Sequence, residues 1–94
     1  MRLSLDTQQV LKKYFNVFFD GEIYLFGSRV DDNKKGGDID LYLVVNNKEH
    51  LFRRKIKFLS RVKRKIGDQK IDIVFNKDSS RLIEQEAIKW GVRL

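Results

Sequence analysis

The sequence predicts a small α/β (α+β) domain, a mixed β-sheet with helices on one face. Two observations lead to this fold class. Three segments carry apolar residues at helical spacing, and three shorter segments are rich in β-branched and aromatic residues. These segments follow one another as helix, strand, strand, helix, strand, helix over 94 residues, which suits a single domain spanning residues 1–94.

The first helix and the first strand lead into a glycine-serine pair. A helix is expected over residues 5–19, where apolar residues recur three or four positions apart. Residues 23–26 are apolar and aromatic and are expected to form a buried strand that runs into Gly27-Ser28. Residues 29–37 follow as an exposed loop, in which Lys34 and Lys35 either steer phosphates or keep the loop solvated.

The second predicted strand, residues 38–45, begins with alternating acidic and apolar residues. Side chains alternate across a strand, so Asp38 and Asp40 share one face while Ile39 and Leu41 share the other. The apolar face needs a layer of helices to cover it. Both carboxylates are therefore expected on the opposite, open face of the sheet.

The second half of the chain contains a helix over residues 48–66, a strand over residues 70–75 and a helix over residues 80–90. Asp72 is an acid inside an otherwise apolar strand, which is unusual unless the side chain faces solvent or a ligand. The residues expected to be buried are Phe52, Ile56, Leu59, Val62 and Ile66 in the first of these helices, and Leu82, Ile83, Ala87 and Trp90 in the second.

The composition excludes several classes of protein. The chain has no cysteine and one histidine, His50, so a disulfide framework and a structural zinc site are excluded. No apolar run reaches membrane-spanning length and the N-terminus does not resemble a signal peptide, so we expect a cytoplasmic protein with no membrane partner. The formal charge of +7 favours anionic partners such as nucleotides, nucleic acid or an acidic protein.

Three acids in strands are the candidate catalytic residues. If the third strand neighbours the second, Asp72 joins Asp38 and Asp40 in one cluster, which repels itself unless cations bind it. Mg²⁺ is the natural partner of such oxygen ligands, and two Mg²⁺ ions would activate a hydroxyl and stabilise a leaving oxygen in nucleotidyl transfer. Gly27 lets the backbone approach a ligand closely, so its N–H groups and the Ser28 hydroxyl would hold a triphosphate.

A purely structural interpretation of these residues also exists. Asp38 is acceptable at a strand start, Asp40 and Asp72 are acceptable on a solvent-facing side of a strand, and Ser28 is acceptable as a cap. Each of these occurrences is common alone, whereas their combination is not. The pattern contains no Walker A or Rossmann fingerprint, so a P-loop enzyme is disfavoured.

The combined motif resembles the minimal nucleotidyltransferase family of the DNA polymerase β superfamily. The resemblance rests on Phe26-Gly27-Ser28-Arg29, a spacer, Gly37-Asp38-Ile39-Asp40-Leu41 and the later Ile71-Asp72-Ile73-Val74. It covers nearly the whole chain, including the ending Trp90-Gly91-Val92-Arg93-Leu94, which resembles the family's closing helix. The family signature implies a polymerase β-like nucleotidyltransferase fold. It also assigns phosphate binding to Ser28 and Arg29, and Mg²⁺ binding to Asp38, Asp40 and Asp72.

The resemblance also implies a substrate and a partner. The chain has no room for the additional domains with which larger superfamily members bind nucleic acid or small substrates. It is similar to the antitoxin of a two-gene pair whose partner is an all-helical HEPN ribonuclease toxin. The implied activity is transfer of AMP from ATP to a tyrosine of that toxin, within a hetero-oligomer.

Two other functions stay open from the sequence. An antitoxin that blocks its toxin by occlusion alone would need no catalytic aspartate. A nucleic-acid-binding domain would use the basic residues of the helix at 48–66, although a solvated helix face explains the same charges. With Phe52 in the predicted apolar stripe, no aromatic residue interleaves with those charges, so a stacking surface for single strands is not favoured.

Overall fold

The computed structural model describes residues 1–34 and 36–94, and in these ranges the chain forms three α-helices and a four-stranded sheet. Lys35, one of the two lysines considered for phosphate steering, lies outside the described residues. No helix in the same ranges is both long enough and apolar enough to cross a membrane. The elements in chain order are α1 (Leu5–Phe18), β1 (Gly21–Phe26), a 3₁₀ segment that we call the Gly-Ser turn (Gly27–Val30), β2 (Ile39–Val45), α2 (Leu51–Ile66), β3 (Ile71–Phe75), α3 (Leu82–Trp90) and β4 (Val92–Arg93).

The sheet is mixed, as predicted, with the strand order β3-β2-β1-β4. β1 pairs antiparallel with both β2 and β4, while β2 pairs parallel with β3. A parallel pair needs a crossover connection, and α2 supplies it. The two central strands are therefore β1 and β2, on either side of the Gly-Ser turn.

The larger core lies between the sheet and the two long helices. Leu11 and Phe15 of α1 and Phe58 and Val62 of α2 are buried against the apolar side of the strands. The strand residues in this core include Ile39, Leu41 and Leu43, which alternation had placed on one face of β2. The predicted assignment of faces in β2 is therefore correct.

The expectation that all helices cover one face is wrong for α3. Ala87 of α3 is buried with Phe26 and Tyr42 in a second, smaller core, and Val74 of β3 packs against the same cluster. This cluster is formed by the strand residues that alternate with those of the larger core. α3 therefore lies on the face that also carries Asp40.

Several expected buried positions are exposed. In α2, Phe52 is 73% exposed and Ile56 is 52% exposed, because the helix turns Phe58 toward the sheet. The other expected positions, Leu59, Val62 and Ile66, are buried or partly buried in the larger core. In α3, Glu84 and Ala87 face the protein, whereas Leu82 and Trp90 are 82% and 62% exposed. An aromatic side chain therefore does lie among the basic residues of α2.

The C-terminal segment is a strand and not the continuation of a closing helix. α3 ends at Trp90, and Val92–Arg93 pairs with Tyr24 and Leu25 of β1. Gly91 makes this change of direction possible, because a Cβ atom there would collide with the carbonyl oxygen of Ala87. α3 is thus tethered to the sheet at its C-terminal end.

Candidate active site

The two acidic strand positions of the predicted motif are brought side by side by the sheet. In the parallel pairing of β2 with β3, Asp40 is the register partner of Asp72. Tyr42 and Val74, two residues further along each strand, belong to the smaller core, so alternation places Asp40 and Asp72 on that same face. Two carboxylates from strands far apart in sequence therefore meet at one edge of the α3 face.

The Gly-Ser turn lies directly against the carboxylate of Asp40. Phe26, the last residue of β1, is the register partner of Asp40, so the turn begins next to that residue. Gly27 has a φ of 76°, and a Cβ atom there would collide with the carboxylate of Asp40. Glycine is therefore required at this position both for its backbone conformation and for the close approach of Asp40.

The segment that begins at Gly37 folds back onto Ser28. Gly37 has a φ of 89°, and a Cβ atom at this residue would collide with the hydroxyl oxygen of Ser28. The Ser28 side chain thus lies between its own turn and the segment that carries Asp38. Both glycines of the motif serve to bring polar side chains into close contact.

The electrostatics of Asp40 reflect a cluster of acids. Partial burial raises the pKa of this carboxyl above its usual range, and the charges of Asp72, Asp38 and Glu86 raise it further, while Lys70 opposes them. Glu86 comes from α3, which the sequence had placed on the other face. The ionised form of Asp40 is therefore destabilised by its neighbours and would be stabilised by a bound cation.

Asp38 is at the edge of this cluster and faces a lysine. Its Oδ2 atom lies 3.4 Å from Nζ of Lys70, the residue that precedes β3. The hydrogen bond and the charge of Asp38, followed by the charges of Asp72 and Asp40, raise the pKa of Lys70. Within residues 1–34 and 36–94, no three acidic or histidine side chains are placed as a ready-made set of metal ligands.

The arginine of the motif contacts the backbone. Its Nε atom donates to the carbonyl oxygen of Gly37 at 3.2 Å, and its Nη1 atom donates to that of Arg2 at 3.1 Å. Arg2 in turn donates to the carbonyl oxygens of Ser28 and Asp31. Arg29 therefore ties the N-terminal segment and the glycine loop to the Gly-Ser turn, which is a positioning role beside the predicted phosphate contact.

Two charged residues of the site, Lys70 and Glu86, were missed by sequence reasoning. Lys70 follows from the motif in retrospect, because parallel pairing with β2 brings the residue before Ile71 beside Asp38. Glu86 gives no such signal, since its place depends on which face of the sheet α3 covers. Glu86 also lines a cavity together with Gly27 and Ser28.

Removing the lysine should make the site bind divalent cations more tightly. Lys70 neutralises part of the negative charge that would otherwise attract a metal ion. For Lys70→Met at neutral pH we expect Mn²⁺ or Mg²⁺ affinity to rise on the order of threefold at low ionic strength. Isothermal titration calorimetry measures this effect, with Lys12→Met on the exposed surface of α1 as the matched control. Equal or weaker metal binding by Lys70→Met would show that the lysine does not compete for these carboxylates.

A Gly-Ser turn beside paired aspartates defines this chain as an α/β phosphotransfer domain. Comparison with known protein families agrees with this class. A family model described as "Polymerase beta, Nucleotidyltransferase" matches residues 6–94. The chain therefore belongs to this family and is a nucleotidyltransferase domain. The fold class and the superfamily predicted from the motif are confirmed. A search of curated proteins found no match.

Proposed function

We propose that this domain is a Mg²⁺-dependent adenylyltransferase that moves AMP from ATP to a tyrosine hydroxyl of a partner HEPN toxin, and so acts as its antitoxin. Nucleotidyl transfer itself follows from the family. The observation that supports a catalytic role for Asp40 and Asp72 is their pairing in register, next to the Gly-Ser turn. The choice of ATP and of a HEPN partner rests on the motif resemblance.

The residues present fit a magnesium ion by the chemistry of their donor atoms. Asp38, Asp40 and Asp72 supply only carboxylate oxygens, the ligands that Mg²⁺ prefers. Partial burial, followed by the charges of Asp72, Asp38 and Glu86, raises the pKa of Asp40, so a nearby divalent cation would stabilise its ionised form. When bound, the metal would neutralise charge on the phosphates and lower the pKa of the attacking hydroxyl.

The chain's own residues would bind the nucleotide and accept the proton. Backbone N–H groups of the Gly-Ser turn and the Ser28 hydroxyl are available to hold the phosphates. The acceptor hydroxyl oxygen forms a bond to the α-phosphorus, the bond to the β-phosphate breaks, and pyrophosphate leaves. Asp72 is exposed to solvent and is our candidate acceptor of the hydroxyl proton.

A protein acceptor is supported by the surface around the site. α3 lies on the same face of the sheet as the carboxylates and exposes Leu82 and Ile88 to solvent. Exposed apolar residues beside a catalytic centre are typical of a surface that binds another protein. A small-molecule acceptor would not need this surface.

The direct test measures the mass of the acceptor. The domain is incubated with a catalytically inactive HEPN toxin, Mg²⁺ and each nucleoside triphosphate in turn, and the toxin is analysed by intact-mass and peptide mass spectrometry. We expect a gain of one AMP residue on a tyrosine with ATP. A parallel reaction contains single-stranded RNA in place of the toxin. Nucleotide addition to the RNA and not to the toxin would contradict the proposed acceptor, while neutralisation of active toxin without ATP would favour occlusion alone.

A further inference from the structure

A cavity of about 400 Å³ separates the Gly-Ser turn from the end of α3. Gly27, Ser28 and Val30 of the turn and Trp90 of α3 are among its lining residues. Its volume lies within the range of cavities that hold small organic ligands. The cavity therefore joins the proposed phosphate-binding turn to an aromatic side chain.

Packing in the protein core does not explain the position of the tryptophan. Trp90 is 62% exposed and belongs to neither core cluster, whereas Ala87, one turn earlier, is the residue that packs α3 onto the sheet. The ammonium group of Lys89 lies 5.1 Å from the centre of the indole ring. An indole held at the edge of a cavity by a surface helix is available for a ligand with a flat aromatic face.

We propose that Trp90 stacks on the nucleobase of the bound nucleotide and that the cavity favours a purine nucleoside triphosphate. The inference rests on the proposed function, because the phosphates must occupy the Gly-Ser turn for the base to reach Trp90. Every base has a π-face that stacks on an indole, and the larger purine ring system covers more of it. Asp31 and Glu86 of the same cavity supply carboxylate oxygens that accept hydrogen bonds from amino groups of a base.

The sequence contains a single tryptophan, so its fluorescence reports on this position alone. The experiment titrates the wild-type protein with ATP, GTP, CTP, UTP and inorganic tripolyphosphate in the presence of Mg²⁺, and follows tryptophan fluorescence and calorimetric heat in parallel. We expect purine nucleotides to quench the fluorescence at the concentrations at which they bind. Tripolyphosphate is expected to bind without quenching, because it lacks a base.

Variants separate stacking from a general effect on the helix. Trp90→Ala is expected to weaken ATP or GTP binding by about tenfold, to weaken pyrimidine nucleotides less, and to leave tripolyphosphate binding unchanged. Trp90→Phe should restore most of the affinity. The matched control is Gln85→Ala, an exposed residue earlier in the same helix, whose side chain donates to the carbonyl oxygen of Ser80 at 3.4 Å. Circular dichroism checks that each variant is folded.

Failure of this inference is distinguishable from failure of the proposed function. Calorimetric binding of nucleotides with unchanged tryptophan fluorescence, or equal affinity in Trp90→Ala, would overturn the stacking role and leave adenylyl transfer intact. Equal quenching by tripolyphosphate would show that Trp90 responds to phosphate binding and not to a base. If no nucleotide binds the wild-type protein, the proposed function and this inference both fall.

Discussion

Replacing Asp40 with asparagine is expected to abolish nucleotidyl transfer, with a rate at least on the order of a thousandfold lower. Asp40 is the acid at the centre of the candidate site: it pairs in register with Asp72 and lies against Gly27. Asparagine keeps the size of the side chain but removes the charge that would hold a cation. The measurement is transfer of label from α-labelled ATP to the partner protein under single-turnover conditions.

The same substitution is not expected to unfold the protein. The raised pKa of Asp40 means that the folded state holds its proton more tightly than the unfolded chain does. Ionisation of Asp40 therefore costs stability as the pH rises past the unfolded value, and a neutral asparagine removes this cost at neutral pH. We expect a thermal midpoint in metal-free buffer that is equal to or higher than that of the wild type.

The matched control for this experiment is Asp20→Asn, an exposed aspartate between α1 and β1. It makes the same chemical change away from the carboxylate pair and should leave the transfer rate within about twofold of the wild type. Asp72→Asn is expected to reproduce the loss seen with Asp40→Asn. Retention of transfer by Asp40→Asn would show that the reaction does not depend on this carboxylate, and the proposed site would then be wrong.

The strands and their faces could be predicted because they depend on local alternation. Ile39 and Leu41 are buried in the larger core as expected, and Asp40 lies on the other face with Tyr42. The pairing of β2 with β3 was only a condition in the sequence analysis, under which Asp72 would join Asp38 and Asp40. The observed parallel pairing meets this condition and makes Asp40 the register partner of Asp72.

The position of α3 could not be predicted, and the site residue Glu86 was missed for the same reason. A nine-residue helix with apolar residues on more than one side has no single periodic stripe that identifies its buried face. The buried pair is Glu84 and Ala87, and an acid is not a residue that sequence reasoning assigns to a core. The hydrogen bonds around Glu84 explain why this face of α3 is the buried one.

Glu84 joins α3 to the end of β3 and to β2. Its carboxylate is 1% exposed and accepts hydrogen bonds from the hydroxyl of Tyr42 at 2.9 Å, from the amide of Asp78 at 2.7 Å and from Nε of Arg81 at 2.7 Å. The amide of Lys77 donates to both of its oxygens. No buried side-chain nitrogen or oxygen atom lacks a partner within residues 1–34 and 36–94. This network holds α3 in place, and α3 in turn positions Glu86 and Trp90 at the site.

Glu84→Ala should therefore be the most destabilising single substitution of those considered, by roughly 3–5 kcal/mol. The truncation removes the acceptor of the Tyr42 hydroxyl, of the amides of Lys77 and Asp78 and of Nε of Arg81. Urea denaturation at neutral pH measures the free energy of unfolding. The control is Glu49→Gln, an exposed glutamate before α2, which should change stability by less than about 0.5 kcal/mol.

The isosteric Glu84→Gln variant tests the role of the charge through its pH dependence. Burial opposes ionisation of Glu84, but the hydrogen bonds from Asp78, Arg81, Tyr42 and Lys77 outweigh it and lower the pKa from 4.5 to about 2. A lowered folded-state pKa stabilises the protein above the unfolded value, and this contribution is lost as the pH falls from about 4.5 toward 2. The stability difference between wild type and Glu84→Gln should accordingly be largest at neutral pH and shrink through this acidic range. A difference that is constant with pH would show that the carboxylate is not held ionised, and that the hydrogen-bond geometry alone fixes α3 beside the site.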